Sequence, residues 1–264
     1  MIYEMKYNYH THTALSGHAT GSMREYVESA IASGITRMGF SDHPPFLRHP
    51  NTFWRCPPHL VEGYVEEARA LREEYKDRID ISIGFEMEYY PECFDEMLSY
   101  VRRLGAEYLL LGEHYISAKE DFYVLHHDAN AQEEEMLKRY VFCLTEGMRS
   151  GVFSYLAHPD LFAFSGDPDI YRREMRKICR VSRETGVPLE INFLGIRQGR
   201  SYPNPLFWEL AGEEGASVLF GFDAHDARAA GDVATLPHAM RLVEKYRLNL
   251  IEEPSLRLFS AKKL

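Results

Sequence analysis

The run Ile79-Asp-Ile-Ser-Ile-Gly-Phe-Glu-Met87 places apolar residues at every second position, Ile79, Ile81, Ile83 and Phe85, three of them β-branched. That period belongs to a strand with a buried face, and this strand ends on an acid, Glu86. Working outward, six further short apolar runs recur: Met5–His12, Arg37–Asp42, Tyr108–His114, Phe153–His158, Pro188–Asn192 and Ser217–Asp223. Between and after them lie stretches with helical spacing: Ser22–Ser33, Pro58–Tyr75, Cys93–Leu104, Gln132–Ser150, Asp169–Glu184, Pro205–Glu214 and Pro237–Tyr246. In the first of these, Tyr26, Val27, Ala30 and Ile31 line one side, and Gly34 follows as a stop. Strands that alternate with helices imply parallel pairing through right-handed crossovers. Seven such units without a glycine-rich nucleotide fingerprint predict an α/β fold, a closed or nearly closed barrel of the TIM type. The whole chain, 1–264, reads as a single domain, since no low-complexity segment or linker divides it. Two irregular stretches, Pro44–Pro58 and Gly195–Pro205, are expected to lie over the strand ends, where such loops often cover a site.

Composition narrows the function. With 40 acidic against 30 basic residues the formal charge is −10, which argues against a nucleic-acid partner. No apolar run is long enough to cross a bilayer, and Met1–Tyr9 lacks a basic-then-apolar leader, so no membrane partner is expected. Cys56, Cys93, Cys143 and Cys179 lie far apart and form no CxxC pair. A disulfide framework or cysteine-based zinc site therefore has little support, and a cytoplasmic setting is the simplest expectation.

Histidine carries the lead, with 12 in the chain. His10 and His12 end the first strand and, two apart, face one side of it. Asp42-His43 ends the second strand, Glu86 the third, His114 the fourth, His158 the fifth, and Asp223 with His225 the seventh. His18 follows in the loop after the first. In an α/β barrel these C-terminal ends converge on one face, where active sites are built. A tetrahedral zinc needs three or four protein ligands. Seven imidazoles, a Glu and an Asp suit two or three divalent ions, with a carboxylate free to bridge neighbours. Each residue alone has an ordinary structural reading: a packed core histidine, or an Asp capping a helix. Those readings would all have to hold together at one barrel face, which favours metal. His49, His59, His126, His127 and His238 lack this placement and read as surface or loop residues, with His49 and His126-His127 candidates for the rim.

The ordered motifs YHTHTALSGH, FSDHP, GFEMEY, LGEH, AHPD and GFDAHD resemble the polymerase-and-histidinol-phosphatase (PHP) family. The loop SGHATGS and INFLGIR followed by SYPNP resemble its histidinol-phosphate phosphatase branch. The similarity runs from about Tyr9 to His225. It implies a distorted (β/α)7 barrel with three divalent metal ions (zinc, iron or manganese) at the strand C-termini. Carried over motif by motif, His10, His12, Glu86 and Asp223 would hold the first ion. Glu86 would bridge to a second held by His114 and His158, and His18, His43 and His225 would hold the third. Arg197 would grip phosphate, with His43 beside the substrate. Asp160 would meet the substrate's amine or bond to a neighbour at the site. The implied catalytic set is Glu86, Asp223, His225 and Asp160. Three positions depart from the branch: Gly112-Glu113-His114 for Ser-Val-His, Phe222 before Asp223, and Leu161-Phe162-Ala163-Phe164 where a basic residue is usual. All nine ligands survive these changes; the substrate pocket is what they alter.

The resemblance implies a metal-dependent phosphomonoesterase that hydrolyses L-histidinol phosphate to L-histidinol and phosphate, in histidine biosynthesis, by attack of a metal-bridging hydroxide. A water between the first two ions would lose its proton near neutral pH, while the third ion and Arg197 would hold the phosphoryl oxygens. The alternatives are a phosphoesterase of the same fold acting on another small phosphate, such as a nucleotide or sugar phosphate, and a non-catalytic metal-binding accessory module. A metal-dependent amide hydrolase would usually carry a bridging lysine, and no Lys sits at a strand end here.

Overall fold

In the computed structural model, which describes residues 4–48, 54–115 and 134–257, strands and helices alternate from end to end. The strands are β1 (Tyr7–Asn8), β2 (Arg37–Phe40), β3 (Asp80–Met87), β4 (Tyr108–Leu111), β5 (Tyr155–Leu156), β6 (Leu189–Asn192), β7 (Ser217–Gly221) and β8 (Asn249–Leu250). They form one parallel sheet in chain order. The sheet curls until its first and seventh strands meet: Thr11 bridges Ala224. There the His12 N–H donates to the Ala224 carbonyl at 2.9 Å, and the Ala224 N–H to that of His10 at 3.1 Å. The result is a distorted (β/α)7 barrel. The two-residue β8, which periodicity is too short to reveal, extends the sheet beyond β7 near its start, Asn249 pairing with Ser217.

The helices are α1 (Met23–Ala32), α2 (Val61–Tyr75), α3 (Phe94–Leu104), α4 (Glu134–Arg149), α5 (Pro168–Thr185), α6 (Phe193–Gln198), α7 (Pro205–Glu214), α8 (Ala227–Ala230) and α9 (Leu236–Tyr246). Their starts follow from local chemistry. Ser22 and Glu25 form a capping box on α1, and Asp167-Pro168 and Asn204-Pro205 each place a capping side chain before a proline at the first helical turn. One expectation is corrected. The stretch from Gly195 is not irregular throughout, because Asn192 accepts from the Gly195 N–H and starts the short helix α6 directly off β6.

The interior explains two glycines in the strands. Tyr108 lies across the barrel, so near Gly39 and Gly84 that a Cβ would stand 2.1 Å from its hydroxyl at Gly39 and 2.5 Å from its ring at Gly84. Its hydroxyl donates towards the carbonyls of Tyr9 (2.9 Å) and Phe40 (3.2 Å), tying β4 to β1 and β2 across the core. The four cysteines are buried free thiols. Among the described residues no helix is long and apolar enough to cross a membrane.

Candidate metal centre

Apart from Glu86, which is paired with Leu110 within β3, the expected ligands lie outside the regular ladders. β2 ends at Phe40, β4 at Leu111, β5 at Leu156 and β7 at Gly221, so His43, His114, His158 and Asp223 lie just beyond the last paired residues. Freed from the ladder, the backbone turns sharply. His158 (φ 27°) and Asp223 (φ 46°) both occupy the left-handed region, a strained state for such side chains that concentrates at functional sites.

All nine candidate ligands gather at one mouth. His12 is the hub, its ring centroid 4.4 Å from His225, 4.6 Å from His43, 5.2 Å from His10 and 5.3 Å from His18. His114 lies 4.9 Å from both His43 and His158. Glu86, fully buried, reaches towards five imidazoles: His158 at 2.8 Å, His10 at 3.2 Å, His12 at 3.3 Å, His43 at 3.6 Å and His114 at 3.7 Å. Donor atoms within 4.8 Å of one another form four overlapping groups: His10–His12–Glu86, His10–His158–Asp223, His43–Glu86–His114 and His12–His18–His225. Compared with the expected partition, His43 groups with Glu86 and His114, while His12 joins His18 and His225.

Several polar atoms here are buried without a properly aligned hydrogen-bond partner, among them Glu86 Oε1, Asp223 Oδ1, His12 Nδ1 and His158 Nδ1. The Nε2 atoms of His10 and His12 face each other at 3.3 Å, and one proton at most can sit between them. Orphaned carboxylate oxygens opposed to imidazole nitrogens are what a set of cation ligands looks like, and neutral imidazole with carboxylate accepts zinc, iron and manganese.

Electrostatics agree. Burial works against a charge on His10 and His12, yet the surrounding carboxylates outweigh it and raise both well above the ordinary imidazole range. Burial likewise opposes ionising Glu86 and Asp223, but the imidazoles around them hold both well below the usual carboxylate range. His18 and His225 go the other way. Burial first, then the neighbouring His12, pushes them down to about 4 and about 3, leaving them neutral and ready to donate lone pairs.

A second layer of residues, absent from the expected set, orients the ligands. Glu190 on β6 lies 2.7 Å from His10 Nδ1 and also accepts from the His158 N–H and from Asn192. Asn192 in turn donates to Asp223 Oδ2 at 3.0 Å. Glu88 takes a two-point contact from buried Arg55 at 2.9 Å and meets His114 Nδ1 at 3.3 Å. Asp42 accepts from the Thr13 and His43 N–H groups and the Thr13 hydroxyl, and its Oδ1 sits 3.5 Å from His12 Nδ1. Such carboxylate–histidine pairs fix the ring orientation of metal ligands. The signal for Glu190 was present in the sequence: a charged residue inside the apolar strand Leu189-Glu190-Ile191-Asn192.

The expected substrate contacts are placed differently. Asp160 bonds to neighbours, the second of its two expected roles: its Oδ2 accepts from the Asn204 N–H (2.5 Å) and Trp208 Nε1 (2.9 Å), fastening the loop after β5 to α7. Burial pushes its carboxyl up to about 7. Arg197, half-buried on α6, donates to Asp232 Oδ2 (3.2 Å) and to the carbonyls of Phe222 (3.0 Å) and Asp223 (3.3 Å), so its guanidinium lies directly behind a candidate ligand. Arg200 bonds to Gln198 and to the Tyr202 hydroxyl. His59 and His238 are exposed; His49, His126 and His127 lie outside the described residues.

A profile of the PHP domain matches residues 8–193. A probable histidinol-phosphatase from Deinococcus radiodurans is 30% identical over 234 residues, 84% of this chain and 87% of that protein. A histidinol-phosphatase from Bacillus subtilis is 24% identical over 262 residues, covering 85% and 94%. Among solved structures, histidinol phosphate phosphatase from Lactococcus lactis, complexed with zinc, L-histidinol and phosphate, matches with a TM-score of 0.71 at 20% identity, covering 95% of this chain and 98% of that one. That last likeness is one of fold.

Proposed function

Because the chain belongs to the PHP domain family, we propose that it is a metal-dependent phosphomonoesterase that hydrolyses L-histidinol phosphate to L-histidinol and phosphate. The carrying observation is the single buried mouth where seven imidazoles and two carboxylates present overlapping donor groups. Relatives named histidinol-phosphatase support the substrate. The overlap of the groups supports more than one ion, and the three-ion set is carried from the family resemblance. Glu86 serves two of the groups, with His10 and His12 and with His43 and His114, as a bridging carboxylate would.

Divalent ions bound here supply neutralisation of phosphoryl charge and acidification of water at neutral pH. The chain's own residues do the rest. Glu190, Glu88 and Asp42 hold His10, His114 and His12 in fixed orientations, so the ligands need no rearrangement during the reaction. Arg197, anchored by Asp232 and the carbonyls of Phe222 and Asp223, would offer the phosphoryl oxygens the N–H groups those bonds leave over. Barrel walls and buried side chains exclude bulk water, which strengthens each of these interactions.

The test is phosphate release from L-histidinol phosphate beside a panel of nucleotide and sugar phosphates, with protein reconstituted with zinc, manganese or iron. Strong preference for L-histidinol phosphate is the expected result. Turnover confined to other phosphates would reassign the substrate and keep the chemistry. No turnover with metal bound would favour an accessory module.

A further inference from the structure

Of the strands β1 to β7, β6 alone leads to no candidate ligand. It lies between β5 and β7, which lead to His158 and Asp223, the two candidate ligands held in the left-handed region. Two buried side chains of β6, Glu190 and Asn192, stand two apart and so share one face. Between them they reach both neighbours. Glu190 Oε2 accepts from the His158 N–H at 3.0 Å and from Asn192 Nδ2 at 2.8 Å, and the same Nδ2 donates to Asp223 Oδ2 at 3.0 Å. The other oxygen, Oε1, crosses the barrel to His10 Nδ1 at 2.7 Å. Strand β7 leaves room for it, since a Cβ on Gly221 would stand 1.6 Å from that oxygen.

The three residues held in this way, His10, His158 and Asp223, are themselves one of the donor groups, and all three are buried. A carboxylate against Nδ1 takes the ring's proton on that side, which leaves His10 Nε2 to turn its lone pair inward, where Glu86 (3.2 Å) and Asp223 (3.5 Å) face it. The bonds to the His158 N–H and to Asp223 Oδ2 fasten both strained residues from the same strand. The group His12–His18–His225 is built differently. It contains no carboxylate, and His18 and His225 are part-exposed. Their Nδ1 atoms meet backbone carbonyls, of Ser16 at 3.3 Å and of Asp223 at 3.0 Å.

We propose that β6, without supplying a ligand, builds the tightest metal site of the mouth. Glu190 and Asn192 are positioning residues that hold His10, His158 and Asp223 ready for an ion, and the His12–His18–His225 group takes its ion more weakly. This rests on the reading of the mouth as a metal centre. The physical reason is twofold: an anionic ligand and a carboxylate-backed imidazole attract a cation more than neutral rings backed by carbonyls, and a group already fixed loses less freedom on binding.

The test uses the full-length, metal-free protein titrated with cobalt(II), followed by visible absorption and by competition with a chelator. Wild type is expected to bind in resolved steps of unequal affinity. Glu190→Gln keeps the size of the side chain but turns an NH₂ group either on His10 Nδ1 or on the two donors at Oε2. In the first case the His10 proton moves to Nε2, where the ion belongs. This variant is expected to weaken the tightest step roughly 10- to 100-fold and to leave the weakest nearly unchanged. Asn192→Ala alters no charge and is expected to weaken the same step, which separates positioning from a general loss of negative charge. Melting of the metal-free variants shows that they fold, and one folded variant is enough for the comparison. Equal weakening of every step, an unchanged tightest step, or failure of both variants to fold without metal overturns the role of β6. A single unresolved step in wild type overturns the ranking of the sites. Wild type that binds no cobalt overturns the reading of the mouth as a metal centre, and the role of β6 with it.

Discussion

Replacing Gly112 by alanine adds one methyl group at the most crowded point of the site. Gly112 follows β4, and a Cβ there would stand 1.9 Å from Glu86 Oε1, 2.6 Å from its Cδ and 2.7 Å from its Cγ. Real Cβ atoms essentially never come within 3.0 Å of a neighbour, so Oε1 must retreat by about 1.1 Å or the end of β4 must shift. Glu86 has nowhere neutral to go, since five imidazoles surround it and its own strand lies in the barrel wall. Misplacing a reacting constellation by about 1 Å costs on the order of 10²-fold in rate, and overpacking a core costs ~1–3 kcal/mol. The expected variant is folded, less stable, deficient in metal and at least about a hundredfold lower in kcat/KM. Metal content by mass spectrometry, thermal melting and phosphate release measure all three. Gly63→Ala is the control: it lies near the start of α2 with nothing within 4 Å of its Cβ, and should gain ~0.5–1 kcal/mol with normal activity. A Gly112→Ala variant that keeps its full metal complement and wild-type kcat/KM would refute the assignment of Glu86 as the bridging carboxylate.

Three further outcomes follow from the same geometry. The carboxylates around His10 and His12 raise both well above the ordinary imidazole range, so the pair holds protons at neutral pH in the metal-free chain, one of them at most between the facing Nε2 atoms. Metal loading must displace those protons, so apparent affinity falls as pH is lowered; calorimetry in buffers of different ionisation enthalpy should show proton release near pH 7, and none released would contradict it. Asp160 has a folded pKa of about 7 against an ordinary 3.8, so the folded state binds the extra proton between those values and loses stability as pH rises through that window, by at most ~4 kcal/mol. Asp160→Asn should therefore raise the melting temperature at pH 8 and leave it nearly unchanged at pH 4, whereas lost turnover at unchanged stability would restore Asp160 to the reaction. Arg197→Ala is expected to raise KM with metal content intact, and Arg200→Ala to do so less; loss of metal in Arg197→Ala would show that its bonds to the Phe222 and Asp223 carbonyls matter more than any phosphate contact.

Much of this was legible because the candidate ligands obey a positional rule. A histidine or acid at or next to the end of six of the seven apolar runs is readable without coordinates, and the parallel order of the strands then brings those ends together. What escaped was of two kinds. The eighth strand is two residues long and carries no period. Glu88 and Asp42 sit two and one positions from candidate ligands and Glu190 interrupts an apolar strand, but a one-dimensional pattern does not say which ring each carboxylate meets. Asp160 carries the same ambiguity. Its neighbour His158 made it look like part of the mouth, yet the chain turns at His158, and the carboxylate ends on the start of α7.

The charge balance of the mouth gives these residues a common logic. Asp42, Glu86, Glu88, Glu190 and Asp223 are all buried there, and Arg55 is the one arginine among the described residues buried with them. Carboxylates so enclosed are costly unless cations accompany them. Additional arginines would satisfy the charge permanently and close the site. Imidazoles satisfy it conditionally: protons held by the His10–His12 pair and by His158 offset the acids, and under the proposed function the same rings, deprotonated, would hold the ions that replace those protons. The same side chains thus keep the metal-free fold tolerable and the loaded site open, which is a physical reason for so many histidines, rather than arginines or further acids, at the ends of the strands.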